Sequence, residues 1–247
     1  MSALAEKIIR ARAQGGLIAW SAADVPRDIA GAMRVQAAAG ARESSPIAGW
    51  KVAVPPGQPA VAAPIFASLC VESGSALTLP PGQGLAVEVE LCVRLTRDVP
   101  ARPHKPYAVA EIKDAFDELR IGIEICPLRF ASEPPVPFPL HLANNMANGG
   151  YVLGPRLGKE RLREPPVWPV TILRDGATIY QAAGYHADGD PLIPLAAYLS
   201  RPIDVMGGLR AGQFVTTGSF CGAVATQGKA EFTARLGNLG EARVTLR

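Results

Sequence analysis

Residues 85–95, Leu-Ala-Val-Glu-Val-Glu-Leu-Cys-Val-Arg-Leu, constrain this chain more than any other stretch. Successive side chains of a strand point to opposite faces, so Leu85, Val87, Val89, Leu91, Val93 and Leu95 form one unbroken apolar face. Ala86, Glu88, Glu90, Cys92 and Arg94 form the other. Two glutamates on neighbouring same-face positions repel each other. In a partly buried sheet they persist only where water, a basic side chain or a cation compensates. A half-exposed strand with a solvated face is one reading of Glu88 and Glu90. A divalent ion is another, because two carboxylates about 7 Å apart at their Cα atoms can converge on one hard cation.

Residues 121–126, Ile-Gly-Ile-Glu-Ile-Cys, repeat the pattern. Ile121, Ile123 and Ile125 share one face, while Gly122, Glu124 and Cys126 share the other. Glu124 is thus a third carboxylate turned away from an apolar layer. Three carboxylates on two strands leave an octahedral ion with open positions for water or a chelating substrate.

A chain of 247 residues with 48% hydrophobic content can bury a proper core. We divide it into a helical lead-in, residues 1–48, and a β-rich domain, residues 49–247. The formal charge is +3 and the basic residues are scattered, which gives no nucleic-acid surface. Cys70, Cys92, Cys126 and Cys221 lie far apart in apolar runs and read as buried reduced thiols, which fits a cytoplasmic location. No apolar run approaches the roughly 20 residues of a membrane span, and residues 1–12 carry no signal-peptide core.

In chain order, residues 3–14 and about 24–43 read as Ala-rich helices. Lys51 is the only charged residue between Glu43 and Glu72. It reads either as a lysine snorkelling to the surface or as an anion-binding, proton-donating group beside the carboxylates. Pro-rich loops are expected at 55–64 and 98–106, a helix at 106–120 and a loop at 127–140. The run His141–Gly150 collects amides and glycines, which serve either a turn or a polar ligand. A hairpin is expected at Asp175-Gly176, a short helix at 191–199, a glycine-rich turn at 207–212 and closing strands thereafter. His104, His141 and His186 fall in expected loops and read as surface residues.

Gly49-Trp50-Lys51-Val52, Pro64-Ile65-Phe66, Glu88-Val89-Glu90, Glu124-Ile125, Asn144-Asn145 with Tyr151-Val152-Leu153-Gly154, Gly189-Asp190-Pro191 and Val215-Thr216-Thr217-Gly218-Ser219 follow one another along the chain. In order and spacing they resemble the 2-keto-4-pentenoate hydratases and 4-oxalocrotonate decarboxylases of the fumarylacetoacetate hydrolase superfamily, over nearly the whole chain. The resemblance implies an α+β fold, a mixed, rolled β-sheet core with peripheral helices. It implies a Mg2+ or Mn2+ ion on Glu88, Glu90 and Glu124, and a 2-oxo acid substrate contacted by Lys51, Asn144, Asn145 and Ser219. Lys51 and Ser219 would be catalytic, and the assembly a homo-oligomer.

The chain departs from the family where Asn144-Asn145 replaces Asp-Asn, Leu128-Arg129 replaces Ser-Arg, and Gly189-Asp190-Pro191 replaces Gly-His-Pro. Hydration of a 2-hydroxydienoate in aromatic catabolism is the leading expectation. Decarboxylation, C–C hydrolysis of an acylpyruvate, and a non-catalytic subunit partnering a related hydratase or decarboxylase are the alternatives.

Overall fold

Ser2 accepts a hydrogen bond from Ala5 N and Asp28 one from Gly31 N, and these caps start helices α1 (Ala3–Gln14) and α2 (Ile29–Gly40). The computed structural model describes residues 2–163, 167–200 and 208–247. After the two helices come β1 (Ile47–Ala53), β2 (Val61–Phe66), β3 (Cys70–Glu72), β4 (Ala76–Leu77) and β5 (Gly84–Leu95). Then follow α3 (Val109–Lys113), β6 (Phe116–Leu128), α4 (Phe138–Ala143), β7 (Gly150–Leu157), β8 (Val167–Arg174) and β9 (Ala177–Tyr185). The chain closes with α5 (Ile193–Ser200), β10 (Phe214–Ser219), β11 (Val224–Thr226), β12 (Ala230–Leu236) and β13 (Glu241–Leu246).

Among the described residues the strands form two mixed sheets. The larger runs β2-β1-β10-β5-β6-β7-β3, with β11 also against β5, and the smaller runs β4-β13-β12-β8-β9. β5 and β6 are long antiparallel neighbours, and their ladder continues from Gly84↔Leu128 to Leu95↔Phe116. Val87, Val89, Leu91, Ile121, Ile123 and Ile125 from this pair join Phe232, Ala234 and Val244 of the smaller sheet in one core. Burial of each such side chain contributes roughly 1.5–3 kcal/mol, so the apolar alternation fixes which face turns inward. The face carrying the glutamates turns the other way.

A second core lies among the helices: Leu4, Ile8, Met33, Phe130, Leu140 and Met146 pack with Val61 and Ala63 of β2. Side-chain amides close the outer edge of that strand. Gln36 Nε2 donates to Ala62 O and Asn145 Nδ2 to Pro64 O, each at 3.3 Å. Among the described residues no helix is long and apolar enough to cross a membrane.

Several expected boundaries move. The second helix spans Ile29–Gly40 rather than 24–43, because Asp24 caps a separate 3-10 turn and Asp28 caps the helix itself. The helix expected over 106–120 shrinks to Val109–Lys113: Phe116, Leu119 and Ile121 fit a strand as well as a helix, and pairing with β5 decides for the strand. The 127–140 loop begins after Leu128 and yields to α4 at Phe138. Asp175 and Gly176, at φ 49° and 80°, make the expected hairpin turn between β8 and β9. The glycine-rich turn at 207–212 starts at Gly207, outside the described residues.

Candidate metal centre

The register of β5 on β6 stacks the polar face in rungs: Arg94/Glu118, Cys92/Arg120, Glu90/Gly122, Glu88/Glu124 and Ala86/Cys126. Both faces are covered, which overturns the solvated-face reading. Glu90 and Glu124 are fully buried and Glu88 is nearly so. β1 lies two strands from β5 and delivers Lys51, buried at 8% exposure, to the same face. Its Nζ stands 3.4 Å from Glu88 Oε2 and 2.5 Å from Glu124 Oε2, the latter off the hydrogen-bonding direction. Lys51 therefore does not reach the surface.

Each carboxylate has a different environment. Glu90 Oε2 accepts from Thr216 Oγ1, while Oε1 has no hydrogen-bond partner. Glu124 Oε1 accepts from Asn148 Nδ2 at 2.9 Å. Burial, helped by Glu124, pushes the Glu90 carboxyl well above its ordinary range. Burial, opposed by Lys51, raises Glu124 to about 7. Glu88 goes the other way: burial raises it, but the charge of Lys51 and the hydrogen bonds with Glu124, Lys51 and Glu90 together bring it below its ordinary range. Burial works against the charge on Lys51, but Glu124 and Glu88 overcome it and hold the ammonium protonated.

A left-handed turn roofs the cluster. Asn145, Met146 and Ala147 have φ of 56°, 49° and 64°, a conformation that costs non-glycine residues about 1–3 kcal/mol each. The turn aims Met146 O at Lys51 Nζ, 3.4 Å away, and the carbonyls of Ala147 and Asn148 at Arg129 Nη1, at 3.4 and 3.0 Å. The buried guanidinium of Arg129 also donates to Asn144 Oδ1 at 3.5 Å.

The expected site residues divide accordingly. Lys51, Glu88, Glu90 and Glu124 come together. Asn144 and Asn145 hold the roof, through Arg129 and Pro64 O. Ser219 pairs with Glu90 across the ladder, but its hydroxyl donates to Gly222 O at 3.0 Å. Asn148 and Thr216 orient carboxylates and were not singled out from sequence. Asn148 lay inside the amide-rich run and Thr216 inside the Thr-Gly-Ser segment, but neither position shows its partner across the fold.

Two histidines expected at the surface are not there. His186 is buried, with Nε2 3.0 Å from Thr217 O and Nδ1 accepting from Asp188 N. His141 lies half-buried on α4, where burial, helped by Lys51, lowers its pKa to about 4.

The orphaned oxygen Glu90 Oε1, together with three carboxylates that share a single lysine's charge, suits a divalent cation. When no ion is bound, protons and Lys51 would balance the carboxylates. The folded-state pKa values of Glu90 and Glu124 lie above the unfolded ones, so the stability they lend is present at low pH and lost as pH rises through the folded values. Above pH 7, where His141 is neutral folded or unfolded, the melting temperature in EDTA should fall from pH 7 to 8.5. Saturating Mg2+ should flatten that slope, and scanning calorimetry at fixed ionic strength checks both.

Gly122 leaves room for a neighbour. A Cβ there would lie 1.8 Å from the hydroxyl of Tyr151, whose ring fills the space beside Glu90. Gly122→Ala is expected to destabilise by about 1–3 kcal/mol, measurable by urea unfolding, because Tyr151 is fully buried and cannot retreat.

No protein-family model matches the chain. It is 28% identical over 181 residues, 73% of this chain and 68% of the other, to a 2-keto-4-pentenoate hydratase of Burkholderia vietnamiensis. It is 27% identical over 189 residues, 76% and 70%, to one of Paraburkholderia phymatum. The fold superposes on 4-oxalocrotonate decarboxylase of Pseudomonas putida G7, solved with magnesium and adipate, with a TM-score of 0.80 over 99% of this chain and 96% of that one, at 20% identity. The chain is related in sequence to these hydratases and shares its fold with the decarboxylase. Another structure of like fold is fumarylpyruvate hydrolase of Pseudomonas aeruginosa with Mn2+ and pyruvate, with a TM-score of 0.56, 15% identity and coverage of 84% and 92%. In this chain the carboxylate cluster sits where β5 meets β6, in the middle of the larger sheet.

Proposed function

We propose that this chain is a divalent-metal-dependent lyase of the fumarylacetoacetate hydrolase superfamily that adds water to a 2-hydroxydienoate, a 2-oxo acid in its enol form. The observation that carries the reading is the buried set Glu88, Glu90 and Glu124, in which one lysine serves Glu88 and Glu124 and the shielded Glu90 Oε1 has no donor. The curated relatives named 2-keto-4-pentenoate hydratase support the reaction class. The rolled closure of the larger sheet belongs to the same reading.

Glu88, Glu90 and Glu124 would hold Mg2+ or Mn2+. A bound ion supplies Lewis-acid stabilisation of the enolate that hydration, decarboxylation and C–C cleavage share. Asn148 and Thr216 fix the rotamers of Glu124 and Glu90. Lys51 holds a proton at Nζ in a shielded position and can deliver it to a substrate carbon or accept the charge of a carboxylate. Asn144, Asn145 and Ser219 line the roof and the neighbouring strand.

Purified protein with Mg2+ is expected to consume the ultraviolet absorbance of 2-hydroxypenta-2,4-dienoate, and EDTA to stop it. No turnover of any 2-hydroxydienoate or acylpyruvate with either metal would remove the reading. The close overlay on 4-oxalocrotonate decarboxylase favours a second reading, decarboxylation. CO2 released from an unsaturated 2-oxo dicarboxylic acid, with no hydrated product from the dienoate, would put that reading first.

A further inference from the structure

We propose that β9 is a docking edge for a second copy of this chain, whose own β9 adds antiparallel to it and joins the two smaller sheets into one across a two-fold axis. This edge belongs to the smaller sheet, whereas the carboxylates stand on β5 and β6 of the larger one.

The two strand orders end on β2, β3, β4 and β9. Free backbone N–H and C=O groups on a terminal strand are a template for another strand, so folded chains shorten, cover or charge such edges. β3 and β4 are three and two residues long. β2 is buried along its whole length, and side-chain amides donate to its carbonyls. β9 has none of these protections among the described residues. It is nine residues long, contains no charge and no proline, and seven of its residues are exposed. Its one irregularity, a register shift opposite Ile172 and Leu173, lies at the turn end and leaves Tyr180–Tyr185 in an unbroken ladder with Val167–Ile172.

The chemistry of the edge decides what fits it. Backbone donors and acceptors spaced along an extended strand are matched by another extended strand. A two-fold contact is isologous, so any charge on β9 would meet a copy of itself or of a near neighbour, and Ala177–Tyr185 carries none. The charges of this sheet's outer face stand further in. Arg235 and Glu241 pair at 2.9 Å on β12 and β13, and the register carries that row outward through Thr171 to the neutral Gln181. Charge inside and neutrality at the rim is the reverse of a protected edge. Val167, Ile179 and Tyr185 are exposed beside it, Tyr185 at 68%, and give the joined sheets an apolar strip to bury. Ala182, Ala183 and Gly184 offer no bulk to a partner backbone at the usual spacing of about 4.8 Å.

Analytical ultracentrifugation of the full chain is expected to show a dimer or an even multiple of one. Gln181→Lys combined with Ala183→Lys sets like charges against each other across the two-fold, on side chains that are exposed in the single chain. The double variant should keep the far-ultraviolet circular dichroism of wild type, and its mass should halve at the same concentration. Hydrogen exchange read by mass spectrometry should find the outward amides of residues 180–185 at least about tenfold slower in wild type than in the variant. If the variant fails to fold, wild-type exchange decides alone: slow exchange of those amides in a dimer supports the proposal, and unprotected amides overturn it. A monomeric wild type, or a folded double variant with the wild-type mass, also overturns it.

Discussion

Lys51→Met is expected to leave a protein that binds Mg2+ at least as tightly as wild type yet turns over its substrate about 10²–10⁴-fold more slowly, the usual contribution of a positioned proton donor. The side chain is nine-tenths buried between Glu88 and Glu124, and methionine fills most of its volume. What the substitution removes is the charge. Losing one partner of a buried ion pair typically costs about 3–5 kcal/mol, because the remaining charge has nothing to balance it. Here the cost depends on pH. Without the ammonium nothing cationic opposes burial, which pushes the carboxyls of Glu88, Glu90 and Glu124 toward the neutral form, so protons can take the place of Lys51 at pH 5 but are scarce at pH 8. Urea unfolding in EDTA should therefore show a larger loss at pH 8 than at pH 5, and Mg2+ should restore much of it. A loss that is the same at both pH values, and that Mg2+ does not relieve, would mean that Lys51 acts through packing.

Glu124→Gln has the largest expected effect on metal. Asn148 can still hydrogen-bond the amide oxygen, so the strand and the left-handed roof keep their contacts. The carboxylate that serves both Lys51 and the cation is gone. Activity should drop to background, and stabilisation by Mg2+ should disappear. At a Mg2+ concentration of 100 times its Kd, wild type gains about 2.7 kcal/mol, or roughly 5–10 °C in Tm for a chain of this size. Differential scanning fluorimetry with and without Mg2+ reads the difference directly. In EDTA near pH 8 the variant should be no less stable than wild type, since it removes one member of a repelling buried trio.

Much of the site could be read from sequence because it lies on strands. Alternation alone puts Glu88, Glu90 and Glu124 on faces opposite Val87, Val89, Ile123 and Ile125, and the ladder then makes Glu88 and Glu124 direct partners. The same local rule fails for residues 106–120, where Ala108, Ile112, Phe116 and Leu119 satisfy both periods and only the partner strand decides. Asn148, Thr216 and His141 were out of reach for a related reason. Their roles are set by carboxylates or a lysine at least two dozen residues away, and no local pattern encodes that distance. His186 shows the complementary limit: a histidine in a glycine-rich loop reads as exposed, yet Phe220 and the Thr217 carbonyl bury it.

The central claim, that Glu88, Glu90 and Glu124 form one divalent-cation site, is tested most directly by the Mg2+-induced shift in melting temperature of wild type and Glu90→Ala. The variant keeps the Val87, Val89 and Leu91 face intact and relieves repulsion within the trio, so it should fold normally, with far-ultraviolet circular dichroism like that of wild type. Wild type should gain several degrees on saturation with Mg2+, and Glu90→Ala should gain none. Equal stabilisation of the two proteins by Mg2+ would contradict the account.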